Sequence, residues 1–200
     1  MNTSFRVALL LPVLLLASAC EPSCEELSEQ TPSIEVGIGT ESFEPITEGA
    51  VLEVAWGNQG GQHIWSSLRV SGVHRGSFVG SDATSAESRP AVRFAVESGE
   101  SVLALYQVEH QMLARTTEGG EFVGATSFIN FNPYSLPELF PEGFDPEDNY
   151  DKEEYLEALA SAKELAHSMD WQFSITLTDS CGTEVSDSRT VRVSGLDSFY

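Results

Sequence analysis

The side chains best suited to binding chemistry are clustered in one alternating segment, as Gln62, His63, Trp65 and Arg69. They follow Gly60-Gly61, and glycines in a strand let the backbone bulge or approach a neighbour closely. Alternate side chains of a strand share a face, so His63, Trp65 and Arg69 are expected to point the same way. An aromatic ring beside hydrogen-bonding groups is typical of a glycan or peptide contact. The four residues are therefore the candidate binding face; the plainer alternative places Trp65 in the core between two sheets.

Catalytic motifs are absent from the sequence. Residues 76–80 read Gly-Ser-Phe-Val-Gly, in which serine follows the first glycine directly, whereas a nucleophile elbow has one residue between them. Pairs of carboxylates suited to glycoside hydrolysis cannot be singled out, because acids occur along the whole chain. We therefore predict no catalytic residues and a protein that is not an enzyme. The alternative is a hydrolase whose site is built from dispersed acids.

Metal-binding patterns are equally weak. The four histidines, His63, His74, His110 and His167, are widely spaced and form no paired motif. The densest acidic segment, 145–154, lacks the glycine and the terminal glutamate of an EF-hand loop. An irregular Ca²⁺ site there is the alternative to a solvated helix start, in which acids favour the helix dipole. We predict no metal and no cofactor.

The first twenty residues have the pattern of an export signal. Arg6 is followed by an apolar run over 7–16, which is too short to span a bilayer as a helix, and then by small residues. Leu16-Ala17-Ser18-Ala19-Cys20 resembles the lipobox of bacterial lipoproteins. That resemblance implies cleavage after residue 19, acylation of Cys20 and a membrane anchor; two or more acyl chains anchor stably. Ordinary signal cleavage that leaves Cys20 as a free thiol is the alternative.

The resemblance also bears on location and on the other cysteines. Glu21 follows Cys20, and the absence of aspartate at that place favours the outer membrane in the best-known sorting rule for such lipoproteins. If Cys20 is acylated, Cys24 and Cys181 are left, and two cysteines in an oxidising compartment are expected to pair. Two free thiols are the alternative.

The chain is strongly acidic, with 31 acidic against 10 basic residues and a net charge of −21. Loss of residues 1–19 would remove Arg6 and no acid, so the net charge would change by one, to −22. Such a chain repels nucleic-acid phosphates, so we predict no nucleic-acid partner. The acidity is expected to serve solubility.

The remaining sequence predicts a mostly β domain. Residues 20–32 have no apolar periodicity and predict a flexible tether. Alternating segments then recur over about eight short strands between 34 and 193, the pattern of an all-β sandwich. A stripe at helical spacing predicts one helix at about 151–169, within an insertion at 132–170. The stripe consists of Tyr155, Leu156, Leu159, Ala162, Leu165, Ala166 and Met169.

The final hairpin carries a second resemblance. Trp171–Thr178 alternates strictly, Asp179 and Gly182 mark a turn, and 190–193 is a closing strand. This hairpin resembles the end of bacterial immunoglobulin-like domains, which implies an antiparallel immunoglobulin-like β-sandwich over 33–200. Because that fold serves many purposes, it names no function. The anchor, the strand pattern and the lack of catalytic motifs together predict an envelope lipoprotein that acts as a binding or assembly module. Its ligand is not identified by the sequence; an envelope protein or a glycan is the candidate partner, and a structural spacer is a further alternative.

Overall fold

Strands account for most of the chain that the computed structural model describes, which is residues 22–57, 61–76, 89–109, 111, 113–116, 119–129, 136–141, 144 and 152–196. The strands are β1 (Ser33–Ile38), β2 (Glu44–Pro45), β3 (Ala50–Glu53), β4 (Ala55–Trp56), β5 (Gln62–Ser71), β6 (Ala91–Ser98), β7 (Ser101–Val108), β8 (Ala114–Arg115), β9 (Gly120–Ile129), β10 (Trp171–Thr178) and β11 (Glu184–Ser194). The helices are α1 (Cys24–Ser28), α2 (Lys152–Ser168) and a 3-10 turn at Pro137–Leu139. The all-β prediction is confirmed.

Several predicted features lie outside the described residues. These are the signal segment 1–19, Cys20, His110 and the acidic residues 145–151.

The described strands form one sheet in the order β2-β1-β5-β9-β7-β6-β10-β11-β3, with β4 on β5 and β8 on β9. Every pairing in it is antiparallel except that of β3 with β11, so the sheet is mixed, whereas the sequence predicts an antiparallel arrangement. A parallel pair needs a long crossover connection. Here almost the whole domain lies between β3 and β11 in the sequence and serves as that connection.

The sheet curls until its two ends approach each other. The continuous segment β3–β4 joins the two ends of the sheet, because β3 pairs with the last residues of β11 while Ala55 of β4 pairs with His63 of β5. Nearer the start of β11, the backbone N–H of Val36 in β1 donates to Asp187 over 2.9 Å. Asp187 also pairs with Arg189 on the same strand. The closure encloses one apolar core.

The core is made of the inward-facing residues of almost every strand. Among its largest fully buried side chains are Trp171, Phe94, Phe173, Leu52, Ile64, Leu68, Leu103, Ile175 and Leu177. Burial of each such side chain contributes roughly 1.5–3 kcal/mol before the entropy of ordering is counted. The alternation read from the sequence therefore reflects a sheet with one buried face.

The predicted helix is present as α2 and covers part of this core. Ala162 and Ala166 are fully buried, and the indole N–H of Trp171 donates to the carbonyl of Ala166 over 2.9 Å. Leu156 and Leu165, which belong to the predicted stripe, are 37% and 45% exposed. The helix is thus rotated so that its small residues, rather than these leucines, lie closest to the sheet.

The segment predicted as a tether contains α1. Ser23 and Glu26 form a reciprocal capping box: the Ser23 N–H donates to the Glu26 carboxylate over 2.8 Å, and the Glu26 N–H donates to the Ser23 hydroxyl. The bonds from Ser23 lower the pKa of Glu26 below its usual value. Leu27 is buried, so this part of the segment is packed on the domain.

Candidate functional site

The four residues of the predicted binding face all lie on β5 but differ in burial. Gln62 and His63 are 1% and 3% exposed, Trp65 is half-buried, and the Arg69 side chain is 48% exposed. The ladder between β5 and β9 shifts register between Ser66 and Leu68. The extra residue belongs to β9, where Gly124 has a φ of 77°, so alternation along β5 is unbroken. His63, Trp65 and Arg69 therefore share one outer face.

Arg69 is engaged by its own domain. Its Nε donates to the Glu121 carboxylate over 2.7 Å, and its guanidinium lies 4.4 Å from the centre of the Phe43 ring. Phe43 in turn covers Gly37, where a Cβ would lie 2.5 Å from the phenyl ring. Glu35 is the direct β1 partner of Arg69. Because Arg69 pairs with Glu121 and covers an aromatic ring, its main contribution is to the outer layer of the fold.

His63 supports Trp65. The two rings meet edge to face with their centres 4.5 Å apart, a favoured geometry for aromatic pairs. Among the described residues, His63 Nε2 has no hydrogen-bond partner. Gln62 Nε2 donates to the Gly195 carbonyl over a long 3.4 Å. Gln62 and His63 are thus buried beneath the surface. Of the four residues, only Trp65 combines an aromatic ring with access to a cleft.

That cleft, called here the Trp65 cleft, has a volume of about 270 Å³. Its lining is formed by the end of β1 and the residues after it, by β2, by the β3–β4 segment and by β5: Ile38, Gly39, Thr40, Glu44, Leu52, Glu53, Val54, Ala55, Ile64 and Trp65. It opens where β5 changes partner, since β4 pairs with Gln62 and His63 whereas β1 pairs from Ser67 onward. The edge of β5 at residues 64–66 has neither of these neighbours in its ladder.

The chemistry of the Trp65 cleft is acidic and aromatic. Glu44 and Glu53 are exposed at its rim, and Thr40 adds a hydroxyl. None of the ten lining residues is lysine, arginine or histidine. A ring face beside carboxylates suits an uncharged polar group or a cation and disfavours an anion.

An exposed apolar pair lies on the same outer face. Phe128 is 61% exposed and is paired with His63, while Leu105, which is 40% exposed, is paired with Phe128. Sequence reasoning missed both residues. The signal for Phe128 was the alternation along β9, in which Ser127 and Ile129 face inward and Phe128 therefore faces outward. Trp56, 48% exposed, stands at the same end of β5 as the partner of Gln62. The surface near the cleft is thus unusually apolar for an acidic chain.

The predicted pairing of Cys24 with Cys181 is confirmed as a disulfide, with Cα atoms 5.5 Å apart. Cys181 lies in the turn between β10 and β11, which Asp179 organises. One oxygen of Asp179 accepts the N–H groups of Cys181 (2.9 Å) and Thr183 (2.7 Å), and the other accepts the N–H of His74 (2.8 Å). The bridge therefore joins the start of the described chain to a rigid turn.

Metal-binding geometry is not found among the described residues: no group of three or more His, Cys, Asp or Glu side chains there is placed to hold an ion. In the same part of the chain, no helix is long and apolar enough to cross a membrane. Comparison with known proteins found no matching family model, no similar curated protein and no similar solved structure.

Proposed function

We propose that this chain is a bacterial envelope lipoprotein, anchored through an acylated Cys20 in the outer membrane, whose domain binds an envelope protein or glycan at the Trp65 cleft. The observation that carries the binding proposal is the cleft itself. It combines a half-buried tryptophan, a hydroxyl and two rim carboxylates at a break in the β5 ladder. Unpaired strand edges and aromatic platforms both favour extended polar ligands.

The finer fold proposal is an immunoglobulin-like sandwich. Immunoglobulin-like domains place strands A, B, E and D in one sheet and C, F and G in the other. If β1, β5, β6, β7, β9, β10 and β11 are lettered A to G in chain order, the observed strand order becomes A-B-E-D-C-F-G. This order supports the proposal. Two features depart from it: β6 and β7 also pair, which joins the two halves, and the disulfide lies outside the B and F strands.

The ligand class follows from the charges at the cleft. Glu44 and Glu53 at the rim and a net charge of −21 disfavour an anionic ligand. A neutral sugar, an amino sugar or a basic peptide segment is compatible with the carboxylates and the ring of Trp65. The interaction is expected to weaken at high salt only if the ligand is basic, because screening acts on charge pairs.

In-cell photo-crosslinking tests the binding site. A photoreactive amino acid replaces Trp65, and in a matched control it replaces Thr176, which lies in β10, away from the cleft. We expect an adduct from position 65 but not from 176, and its sensitivity to protease or to glycosidase separates a protein from a glycan. Identical behaviour of the two positions would remove the Trp65 cleft as the binding site and favour a structural spacer.

The anchor has an independent test. Protein extracted from membranes is weighed intact, before and after reduction. A mass equal to residues 20–200 plus a diacylglycerol and an acyl chain supports acylation of Cys20, and an unacylated mass refutes it.

A further inference from the structure

The disulfide shortens the connection between the domain and Cys20. Cys24 is joined to Cys181, and only four chain steps separate Cys20 from Cys24. Four fully extended residues span at most about 14 Å. Without the bridge, only the packing of α1 through the buried Leu27 holds this end of the segment. Once α1 detaches, the connection runs from Cys20 to the start of β1 at Ser33, thirteen steps that can span roughly 45 Å.

The bridge and the Trp65 cleft lie toward opposite ends of the strands. Cys181 is in the turn before Glu184, where β11 begins, whereas Ser194 at the far end of β11 is paired with Glu53 of the cleft rim. Eleven strand residues rise about 33 Å. The same polarity holds for β1 and β5, because Ser33, which follows α1 and its cysteine, is paired with Ser71, six residues beyond Trp65.

We propose that the Cys24–Cys181 disulfide is an orienting clasp. It holds the β10–β11 turn against the anchoring membrane and presents the Trp65 cleft about 20–30 Å farther away. This inference rests on the proposed anchoring of the chain at Cys20. A short connection restricts which end of the domain can approach the bilayer, whereas a connection longer than the domain lets either end do so.

The surface around the clasp does not itself bind the membrane. Glu25, Glu26 and Glu29 of the α1 region and Glu184 at the start of β11 are exposed, and carboxylates are repelled by anionic headgroups. The orientation is therefore due to the covalent connection, and the ligand of the cleft is a group that stands away from the anchoring bilayer rather than one of its lipids.

Energy transfer on nanodiscs tests the orientation without depending on natural acylation. In the chain that begins at Cys20, the intact disulfide leaves Cys20 as the single free thiol, which is coupled to a maleimide-bearing lipid. Donor dyes are placed on unnatural amino acids at Ser186, near the turn, or at Val51, which is 55% exposed near the cleft end, with acceptors on lipid headgroups. The two positions differ by about 20 Å along β11, because Val51 is paired with Arg192.

We expect strong transfer from position 186 and weak transfer from position 51, and convergence of the two in C24S/C181S. A second variant keeps the disulfide and inserts twelve Gly/Ser residues between Cys20 and Cys24. Transfer from the two positions should converge in this variant as well, and because the bridge is kept, unfolding caused by its loss cannot explain the result. Equal transfer from the two positions in the parent chain, or the parent pattern in both variants, would overturn the clasp. Failure of natural acylation would show in the intact mass instead. It would refute the anchor, and with it the role of the clasp in the cell, whereas the nanodisc result would still report whether the bridge orients a tethered domain.

Discussion

Removal of the Cys24–Cys181 disulfide is expected to cost much of the domain's stability. The bridge closes a loop with a sequence separation of 157 residues. For that length, the chain-entropy relation gives roughly 17 cal/mol/K, or about 5 kcal/mol at 25 °C. Single domains have a total free energy of unfolding of about 5–15 kcal/mol. The double variant C24S/C181S should therefore be marginally folded.

Urea unfolding followed by far-UV circular dichroism measures this loss. With a slope of about 2 kcal/mol per molar urea, the midpoint should fall by about 2.5 M. All proteins carry C20S, because a third thiol would exchange with the bridge. The protein with C20S alone keeps the bridge and is the reference from which the fall in midpoint is measured. A fall of less than about 0.5 M with an unchanged slope would refute the argument that the bridge restricts the unfolded chain.

Three further changes test the bond between β1 and β11, the core and a titrating group. Asp187→Ala should lower the free energy of unfolding by about 1–3 kcal/mol, since it leaves the buried N–H of Val36 without its acceptor; Asp187→Asn, which keeps an oxygen there, should cost clearly less in the same urea assay, and equal losses would argue against the bond. Trp171→Phe should cost about 2 kcal/mol in thermal or urea unfolding, because the Ala166 carbonyl loses its indole donor. Burial raises the pKa of Tyr106, so the folded state favours the neutral phenol and stability should fall as the pH rises above the unfolded pKa of about 10. Tyr106→Phe should flatten that fall in urea midpoints taken from pH 8 to 11; an unchanged slope would mean that other groups cause it.

Local sequence pattern was sufficient to predict the longer strands and the long helix, but not α1, which lies in the segment predicted as a tether. Strict alternation over Trp171–Thr178 and the turn residues Asp179 and Gly182 predict the last hairpin, which forms with Gly182 at a φ of 80°. Both signals act between neighbours in the sequence, so no knowledge of distant residues is needed. The helix α2 was predicted on the same basis, from the spacing of its apolar residues.

Burial within those elements was less predictable. The outer face of β5 was assigned correctly by alternation, but the burial of His63 depends on the ring of Trp65 and on β9, which pairs with it from more than sixty positions away. Leu165 shows the same limit, because the rotation of α2 is set by the surface that it covers. A hydrophobic period defines a stripe, whereas the partner decides which part of the stripe is excluded from water.

The sequence alone determined the strand pattern, the acidity and the long helix, because each depends on residue type or on local spacing. It predicted the pairing of Cys24 with Cys181 only on the assumption that Cys20 is acylated, and the tertiary structure brings these two cysteines together. Tertiary structure decided where β5 exchanges β4 for β1, and so where the Trp65 cleft opens. It also decided that this cleft and the disulfide lie toward opposite ends of the sheet. Both facts depend on pairings between distant strands, including the parallel pair of β3 with β11. Such pairings are selected by the closure of the whole core rather than by any one segment.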